Sequence, residues 1–305
     1  MKLAMVFPGQ GSQAVGMLKG YDGLPGVDAV RAEAAAVLGS EFVRLLDEGP
    51  AEQLNLTLHT QPAMVTAGYA AYRAWCELGG ARPEVVAGHS LGEYTALVAA
   101  GALSFKDCLP LVRFRAQSMQ EAVPEGQGAM AAILSLNDEQ VRQACAQAGG
   151  EVQAVNFNAP GQVVIAGEKQ AVARAIEACK ARGAKRAMAL PVSAPFHSSL
   201  MRPAGRKLQG YLEKVPFAAP EIALVNNVDV AVLQEPAAIK DALVRQAASP
   251  VRWVETIQKM REMGVTHIVE CGPGKVLAGL TRRISAEVQS MALADRASLE
   301  EALKC

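Results

Sequence analysis

The sequence lacks several patterns that identify common classes of protein. Its six cysteines lie far apart, with no C-x-x-C pair and no nearby pair of histidines, so neither a zinc site nor a disulfide framework is predicted. Thirty basic residues balance thirty acidic ones, which removes any whole-chain electrostatic argument for nucleic acid or an anionic membrane as a partner. We therefore expect a soluble protein of a reducing compartment that binds no nucleic acid and no membrane.

Long apolar runs are also missing. The first apolar run, residues 3–7, is too short for the core of a signal peptide, and the longest weakly polar stretch, 94–103, falls well short of the ~20 residues that a membrane span needs. A cytoplasmic location is the expectation. Half of the 305 residues are apolar, which is ample for a buried core in a chain longer than the usual single domain. One large domain with a smaller inserted domain is predicted.

Two kinds of segment alternate along most of the chain. Short apolar runs next to glycine or proline predict buried strands, and longer stretches with helical periodicity lie between them. The strands are predicted at 3–7, 84–87, 222–225 and 266–270, and helices among others at 28–38, 61–78, 201–214 and 251–263. Such alternation favours an α/β fold, with a mostly parallel sheet covered on both faces.

The middle of the chain follows a different order. It predicts a strand, a helix capped by Asn137 and ended by Gly149, two strands joined by a turn, a second helix ended by Gly183, and a last strand. This β-α-β-β-α-β order is typical of a ferredoxin-like domain. We place that inserted domain at 126–192, with the larger domain formed by 1–125 and 193–305.

A nucleophile is predicted at Ser90, in the sequence Gly88-His-Ser-Leu-Gly92. This segment matches G-x-S-x-G, with an apolar run before it and a helical stretch after it. The two glycines permit a sharp turn from strand to helix, which lifts the serine out of the sheet. The helix N-terminus then favours developing negative charge at Ser90.

A serine nucleophile needs a base, and the chain has four histidines. His89 adjoins Ser90 and points elsewhere from the turn, His267 lies within a predicted strand, and His59 precedes a predicted helix without special context. His197 lies in a loop just before a helix, where catalytic groups are generally carried. His197 is therefore the favoured base, although residue type alone allows each histidine to be structural.

The third member of a triad is not identified by the sequence. Between Ser90 and His197 the only aspartates are Asp107 and Asp138, and neither has a distinctive setting. Hydrolases with this type of turn usually have such an acid. A dyad, in which a backbone or amide group orients His197, is an equal alternative.

Two further segments have residues suited to binding an acyl group. The loop Gly9-Gln-Gly-Ser-Gln13 follows the first strand and can supply a backbone N–H to an oxyanion hole beside that of Leu91; as a phosphate-binding loop its G-x-G is weak. Arg113 and Arg115 follow the turn, and an arginine facing the nucleophile can bind a carboxylate through two hydrogen bonds. Residue type alone does not distinguish either arginine from one on a solvated face. Pro110, in the same stretch, is expected to bend or restart the helix.

Together these segments resemble the malonyl-CoA:acyl carrier protein transacylase family, which supplies malonyl groups for fatty-acid synthesis. The resemblance runs almost from end to end, in matching order and spacing. It rests on Phe7-Pro-Gly-Gln-Gly-Ser-Gln13, Gly88-His-Ser-Leu-Gly-Glu-Tyr94, Arg115 with Met119-Gln-Glu-Ala-Val-Pro124, Asn156-Phe-Asn-Ala-Pro-Gly-Gln162, Ala194-Pro-Phe-His197 and Glu270-Cys-Gly-Pro-Gly-Lys-Val276. The family has a hydrolase-like large domain with a ferredoxin-like insertion, as the strand pattern independently predicts.

The resemblance implies roles for particular residues. Ser90 would attack the thioester carbonyl with His197 as its base, and the backbone N–H groups of Gln10 and Leu91 would bind the oxyanion. Arg115 would pair with the malonyl carboxylate. The backbone carbonyl of Gln246 would orient the histidine, so that no aspartate is required. Phe196 would crowd an α-methyl branch, which selects against such substrates by ~1–3 kcal/mol.

The resemblance also implies partners and a reaction. Malonyl-CoA would acylate Ser90, and the phosphopantetheine thiol of acyl carrier protein would then accept the malonyl group. No cofactor is expected, because the CoA thioester is itself a substrate. Carrier proteins are acidic, so we expect a basic docking surface, either at Lys180, Arg182, Lys185 and Arg186 or at Arg202, Arg206 and Lys207.

Three alternatives remain open at this stage. A thioesterase or esterase would share the turn, the base and the oxyanion hole. The malonyl-loading subunit of malonate decarboxylase has a similar fold and similar motifs. A carrier-binding protein without catalysis is the third, and the presence of both Ser90 and His197 disfavours it.

Overall fold

The structure, a computed structural model, describes residues 1–192 and 194–304. Its strands are β1 Leu3–Phe7, β2 Val85–Gly88, β3 Gly128–Leu134, β4 Val152–Ala159, β5 Gln162–Glu168, β6 Arg186–Ala189, β7 Ala223–Leu224, β8 His267–Cys271 and β9 Gln289–Leu293. The α-helices are α1 Pro25–Leu38, α2 Ser40–Glu48, α3 Ala51–Leu54, α4 Thr57–Glu77, α5 Gly92–Ala99, α6 Phe105–Glu121, α7 Asp138–Ala148, α8 Lys169–Ala181, α9 Arg202–Leu212, α10 Pro236–Gln246, α11 Trp253–Glu262, α12 Val276–Ile284 and α13 Arg296–Ala302. Short 3-10 helices occur at Lys19–Tyr21 and Ser199–Met201.

The first sheet is parallel and has the order β7-β2-β1-β8-β9. All residues of β1 and β2 are buried, because helices cover both faces of the sheet. The carboxyl ends of β1 and β2 lie side by side, with Phe7 opposite Gly88. The two loops that follow these strands therefore begin at one edge of the sheet, where ligands bind in open α/β folds.

The second sheet is antiparallel and has the order β4-β5-β3-β6. Its residues fall between 128 and 189, and α7 and α8 pack against it. Asn137 and Gln140 form the capping box at the start of α7, as their spacing predicts. The α/β class with a mostly parallel first sheet is confirmed.

The structure differs from the sequence-based expectation in three elements. Strand β9 was not predicted, because its residues are mostly half-buried at the sheet edge and do not form an apolar run. Helix α4 begins at Thr57, so His59 lies inside this helix and not before it. Helix α6 continues through Pro110, so the expected restart there is wrong. Within the described residues, none of the helices combines the length and the apolar character that crossing a bilayer demands.

Candidate active site

The turn between β2 and α5 holds Ser90 in a conformation that few residues adopt. Ser90 has φ 53°, in the left-handed region. A Cβ at Gly88 would lie 1.8 Å from the carbonyl carbon of Gly92, and one at Gly92 would lie 2.0 Å from the oxygen of Phe7. Only glycine therefore allows the strand, the helix and β1 to approach this closely. The close packing places the Ser90 side chain above the edge of the sheet.

His197 lies directly against Ser90. Its Nε2 is 2.6 Å from Ser90 Oγ, and its Nδ1 is 3.0 Å from the backbone oxygen of Gln246. A carbonyl can only accept, so Nδ1 carries the proton and Nε2 presents its lone pair to the serine hydroxyl. Burial, and next the charge of Arg115, lower the pKa of His197 to about 3. The imidazole is therefore neutral at physiological pH, as a general base must be.

The two aspartates considered for a triad lie elsewhere. Asp107 belongs to the cap at the start of α6, where its carboxylate accepts a hydrogen bond from Ser104. Asp138 begins α7 beside Arg142. In the described part of the chain, His197 is held by backbone groups of Gln246 and Ser249 and by no carboxylate. The arrangement is a dyad, and the sequence left this choice open.

The remaining histidines have other settings. His89 is half-buried, and its Nε2 lies 2.8 Å from Asn158 Oδ1. His267 begins β8, where its ring contacts Thr266. His59 lies in α4 and lines a separate hollow of about 390 Å³, which contains neither Ser90 nor His197.

Gln10 and Leu91 line the same cavity as Ser90. The Gly9 loop packs on the turn so closely that a Cβ at Gly9 would lie 2.7 Å from the backbone oxygen of His89. Among the described residues, the backbone N–H groups of Gln10 and Leu91 donate to no protein acceptor. Two free N–H groups beside a nucleophile can bind an oxyanion.

Arg115 is 2 % exposed and points into the site from α6. Its Nη2 lies 3.3 Å from Ser90 Oγ and 3.0 Å from Gln246 Oε1, and its Nη1 donates to Gln61 at 2.9 Å. The guanidinium also lies over the ring of Tyr94, 5.3 Å from its centroid. The positive charge of this arginine therefore lies next to the Ser90 hydroxyl.

Arg113, by contrast, is exposed and lines the separate hollow with His59. Two residues correspond to about 200° around a helix, so Arg113 and Arg115 lie on opposite faces of α6. The residue types gave no reason to prefer one of them, and the structure brings only Arg115 to the serine.

The cavity above Ser90 has a volume of about 130 Å³ and is lined by the segments that follow β1 and β2 and by strands of the second sheet, among other residues. Phe196 lies in its wall, next to His197 in the chain and almost buried. Met130 and Val164 contribute apolar surface from the second sheet. The wall thus combines apolar side chains with a few polar groups near the serine, as ligand sites generally do.

Three polar residues of the site were not singled out from the sequence. Gln61 binds Arg115, Glu93 accepts two hydrogen bonds, and the Asn227 side chain accepts from the backbone N–H of Ser90 at 2.8 Å. Glu93 could have been identified from the sequence, because it belongs to a segment on which the family resemblance rests, Gly88–Tyr94. Asn227 follows the two-residue strand β7, and nothing in its local sequence marks it.

Comparisons with known proteins agree with this geometry. The acyl transferase domain family matches residues 4–298. The malonyl CoA-acyl carrier protein transacylase of Escherichia coli K12 is 53% identical over 306 residues, which cover 99% of both chains. The corresponding transacylase of Bacillus subtilis is 45% identical over 307 residues, covering 99% of this chain and 96% of its own.

Solved structures give the same result. The acyl-carrier-protein S-malonyltransferase of Burkholderia pseudomallei 1710b superposes with a TM-score of 0.98 at 61% identity, with full coverage of both chains. A malonyl-transacylase solved in complex with its type II PKS acyl-carrier protein has a TM-score of 0.97 at 52% identity, covering 100% of this chain and 99% of its own. The chain therefore belongs to the acyl transferase family, among the malonyl CoA-acyl carrier protein transacylases.

Proposed function

We propose that this protein transfers a malonyl group from malonyl-CoA to the phosphopantetheine thiol of acyl carrier protein, through an ester on Ser90. The observation that carries the proposal is the contact of Ser90 with two groups at once, a neutral His197 and a buried Arg115. A nucleophile with a base suits acyl transfer in general, and the buried cation suits an acyl group that carries a carboxylate. Relatives named for this reaction, aligned over nearly the whole chain, support the same substrate.

The first half-reaction acylates the serine. Ser90 Oγ attacks the thioester carbonyl while His197 Nε2 takes the hydroxyl proton, and the imidazolium formed is stabilised by the Gln246 carbonyl at Nδ1. The backbone N–H groups of Gln10 and Leu91 bind the oxyanion. Collapse of the tetrahedral intermediate breaks the carbon–sulfur bond, and His197 returns the proton to the leaving CoA thiolate.

The second half-reaction reverses these steps with another thiol. His197 takes the proton of the phosphopantetheine thiol, the thiolate attacks the malonyl ester, and Ser90 recovers its proton. Both thioesters use one site in turn, so the kinetics are ping-pong. The chemistry requires no cofactor, since CoA enters as part of the substrate. Arg115 binds the malonyl carboxylate and fixes the acyl chain in one orientation.

The same proposal covers the organisation of the chain. We interpret the second sheet as a ferredoxin-like domain at 126–192, inserted into a hydrolase-like domain formed by 1–125 and 193–305. The strand order β4-β5-β3-β6 and the β-α-β-β-α-β succession support the interpretation. A cytoplasmic location remains a prediction.

Docking of acyl carrier protein is proposed on a basic surface. Of the two candidate groups, Lys180 and Lys207 are paired with Glu177 and Glu121. Arg202 and Arg206 are exposed at the start of α9, near the His197 loop in sequence. These two arginines are the better candidates for contact with an acidic carrier.

Intact-mass analysis after brief incubation with malonyl-CoA tests the function. We expect a malonyl adduct in the wild type and in Ser290→Ala, a serine of β9 outside the cavity, and none in Ser90→Ala. Added carrier protein should remove the adduct as malonyl-carrier forms. An adduct that decays to free malonate regardless of carrier would contradict transfer and indicate a thioesterase. Absence of an adduct would indicate a carrier-binding protein without catalysis.

A second experiment distinguishes a transacylase of fatty-acid synthesis from the malonyl-loading subunit of malonate decarboxylase. Its malonyl-loading subunit would form the same adduct, so the acceptor decides. Transfer to the acyl carrier protein of fatty-acid synthesis supports the proposed function, whereas transfer restricted to the carrier subunit of a malonate decarboxylase overturns it.

A further inference from the structure

The acidic group of this site does not contact the catalytic histidine. Glu93 is 2 % exposed, in the first turn of α5, and no lysine or arginine lies within ion-pair distance of it in the described part of the chain. A buried carboxylate without a direct counter-charge is unfavourable unless its hydrogen bonds compensate for lost hydration. The partners of Glu93 therefore indicate what it does.

One hydrogen-bond partner of Glu93, Gln246, also contacts His197. Glu93 Oε2 accepts a hydrogen bond of 2.8 Å from Gln246 Nε2, and Gln246 Oε1 accepts from Arg115 Nη2 at 3.0 Å. The carboxylate and the guanidinium thus fix the amide orientation, with its nitrogen toward Glu93 and its oxygen toward Arg115. The backbone oxygen of Gln246 in turn accepts the hydrogen bond from His197 Nδ1 at 3.0 Å. The side-chain amide of Gln246 is thus held at both its nitrogen and its oxygen. This fixes the whole residue, including the backbone oxygen that contacts His197.

The other hydrogen-bond partner of Glu93, Asn227, also contacts the backbone of Ser90. Glu93 Oε2 also accepts from the backbone N–H of Asn227 at 3.0 Å. The Asn227 side chain accepts from the Ser90 N–H at 2.8 Å and donates to the Gly88 oxygen at 2.7 Å, so it bridges the turn. Gln246 Nε2 further donates to the Ser90 oxygen at 3.0 Å. The strained backbone of Ser90 is therefore held by two residues that both bind Glu93.

We propose that Glu93 is a positioning residue, which holds Ser90 and His197 in one fixed geometry by binding Gln246 and Asn227 with a single carboxylate oxygen. It touches neither catalytic side chain and does not line the substrate cavity. The inference rests on the proposed role of Ser90 as nucleophile. It explains how a dyad has the rigidity that a triad obtains from an acid bound to the histidine.

The ionisation of Glu93 gives a distinctive signature. Burial raises the pKa of Glu93 to about 7, against its hydrogen bonds to Gln246 and Asn227 and the charge of Arg115, which lower it. Asp229, the other charged group acting on it, raises it further, and the pKa of neighbouring Tyr94 is raised to about 12, so Tyr94 stays neutral. The ionised carboxylate is therefore present above pH 7 and is lost as the pH falls through 7.

The test compares Glu93→Ala and Glu93→Gln with the wild type, using two reagents that acylate or label Ser90. Malonyl-CoA engages Arg115, whereas a neutral fluorophosphonate probe does not. We expect Glu93→Ala to slow both reactions by roughly 100-fold, since an error of about 1 Å in placement has an effect of this size. The KM for malonyl-CoA should change by less than about threefold, because kcat and not binding depends on the positioning.

Glu93→Gln keeps an oxygen acceptor at the same place, and it tests the positioning role even if the alanine variant does not fold. It should slow labelling roughly tenfold, as a neutral acceptor binds less strongly than a charged one. It should also lose the decline in labelling that the wild type shows as the pH falls through 7. The pKa of His197 is too low to cause that decline. A glutamine variant that is labelled at the wild-type rate, or whose labelling rate falls below pH 7 as in the wild type, would overturn the proposal.

A matched control is another buried carboxylate. Glu270 accepts from the Ala278 N–H at 2.8 Å, at the start of α12, and lies outside the cavity. Glu270→Gln should lower the melting temperature while Ser90 is labelled at the wild-type rate.

If Glu93→Ala loses only the reaction with malonyl-CoA and is labelled normally by the probe, the positioning role is refuted and the effect acts through Arg115. If malonyl-CoA fails in the wild type while the probe labels Ser90, the proposed function fails and the role of Glu93 can still be measured.

Discussion

At the scale of single residues, the proposed function gives Arg115 two roles, binding of the malonyl carboxylate and control of the base. Its Nη2 contacts Ser90 Oγ and its charge lowers the pKa of His197. A bound carboxylate would neutralise that charge. We therefore expect a malonyl group to increase the basicity of His197 as it binds, which an uncharged acyl group cannot do.

Arg115→Ala should abolish selectivity for the charged acyl group. Truncating one partner of a buried charge pair costs about 2–5 kcal/mol, so acylation by malonyl-CoA should fall by a factor between roughly 30 and 5000. Acylation by acetyl-CoA should fall much less, because an acyl group without a carboxylate loses no charge pair and Glu93 still holds the Gln246 amide. Initial rates of adduct formation with both thioesters, measured by intact mass, check this.

The matched control is Arg113→Ala, which removes an exposed arginine from the opposite face of the same helix. It should leave both acylation rates unchanged. Equal loss of both substrates in Arg115→Ala would mean that this arginine serves only to build the site.

Single residues also show what the sequence could and could not predict. Ser90 was identifiable because its two glycines and its flanking strand and helix are local features. His197 required elimination, and Arg115 could be separated from Arg113 only by the family resemblance. Asn227 was not identifiable at all, since its role depends on a turn that tertiary packing brings to Ser90.

At the scale of elements, the turn at Ser90 depends on how closely α5 approaches β1. Gly92 N–H donates to the oxygen of His89, and the glycine itself lies against the backbone of Phe7. The strand and helix on each side of the turn were predicted from apolar runs and glycines. Strand β9 and the true start of α4 were not, because an edge strand with half-buried residues has no clear periodicity and a helix end has few local signals.

Gly92→Ala should therefore destabilise the protein strongly. The new Cβ would lie 2.0 Å from the Phe7 oxygen, a backbone atom that cannot move without displacing β1. Overpacking usually costs about 1–3 kcal/mol, and a backbone overlap of this size belongs at or above the upper end. Urea unfolding followed by fluorescence measures the change in free energy.

Gly210→Ala provides the comparison, since Gly210 lies in α9 and a Cβ there meets nothing within 4 Å. This substitution should stabilise by about 0.5–1 kcal/mol, because alanine loses less backbone entropy in a helix. Similar free energies for the two variants would contradict the close-approach argument.

At the scale of the whole molecule, the cavity depends on how the second sheet is joined to the first. Strand β4 pairs with the segment after α10: the Phe157 N–H donates to the Val251 oxygen at 3.0 Å, and the Val251 N–H donates to the Val155 oxygen at 2.8 Å. Val251 lies five residues beyond Gln246. The sequence predicted both units, but it had no signal for this junction, because the contacts join segments about 95 residues apart through backbone atoms.

A side-chain contact at the same junction involves His89, the residue that precedes Ser90 in the chain. His89 adjoins Ser90, its Nε2 lies 2.8 Å from Asn158 Oδ1 in the second sheet, and its ring contacts Trp253 with centroids 5.5 Å apart. Because an amide oxygen only accepts, Nε2 carries the proton. Loss of this acceptor removes a hydrogen bond from a half-buried donor, which costs about 0.5–1.5 kcal/mol.

We therefore predict that Asn158→Ala lowers the free energy of unfolding by about 0.5–1.5 kcal/mol and slows acylation of Ser90 several-fold, since the residue next to Ser90 loses its hydrogen-bond acceptor. Gln143→Ala, in the exposed face of α7, should change neither quantity. A double-mutant cycle with His89→Ala, measured by urea unfolding, should give a coupling of at least about 0.5 kcal/mol. If the two substitutions are additive, the contact does not couple the sheets, and the cavity geometry depends on the other contacts of the junction, the backbone pairing at Val251 among them.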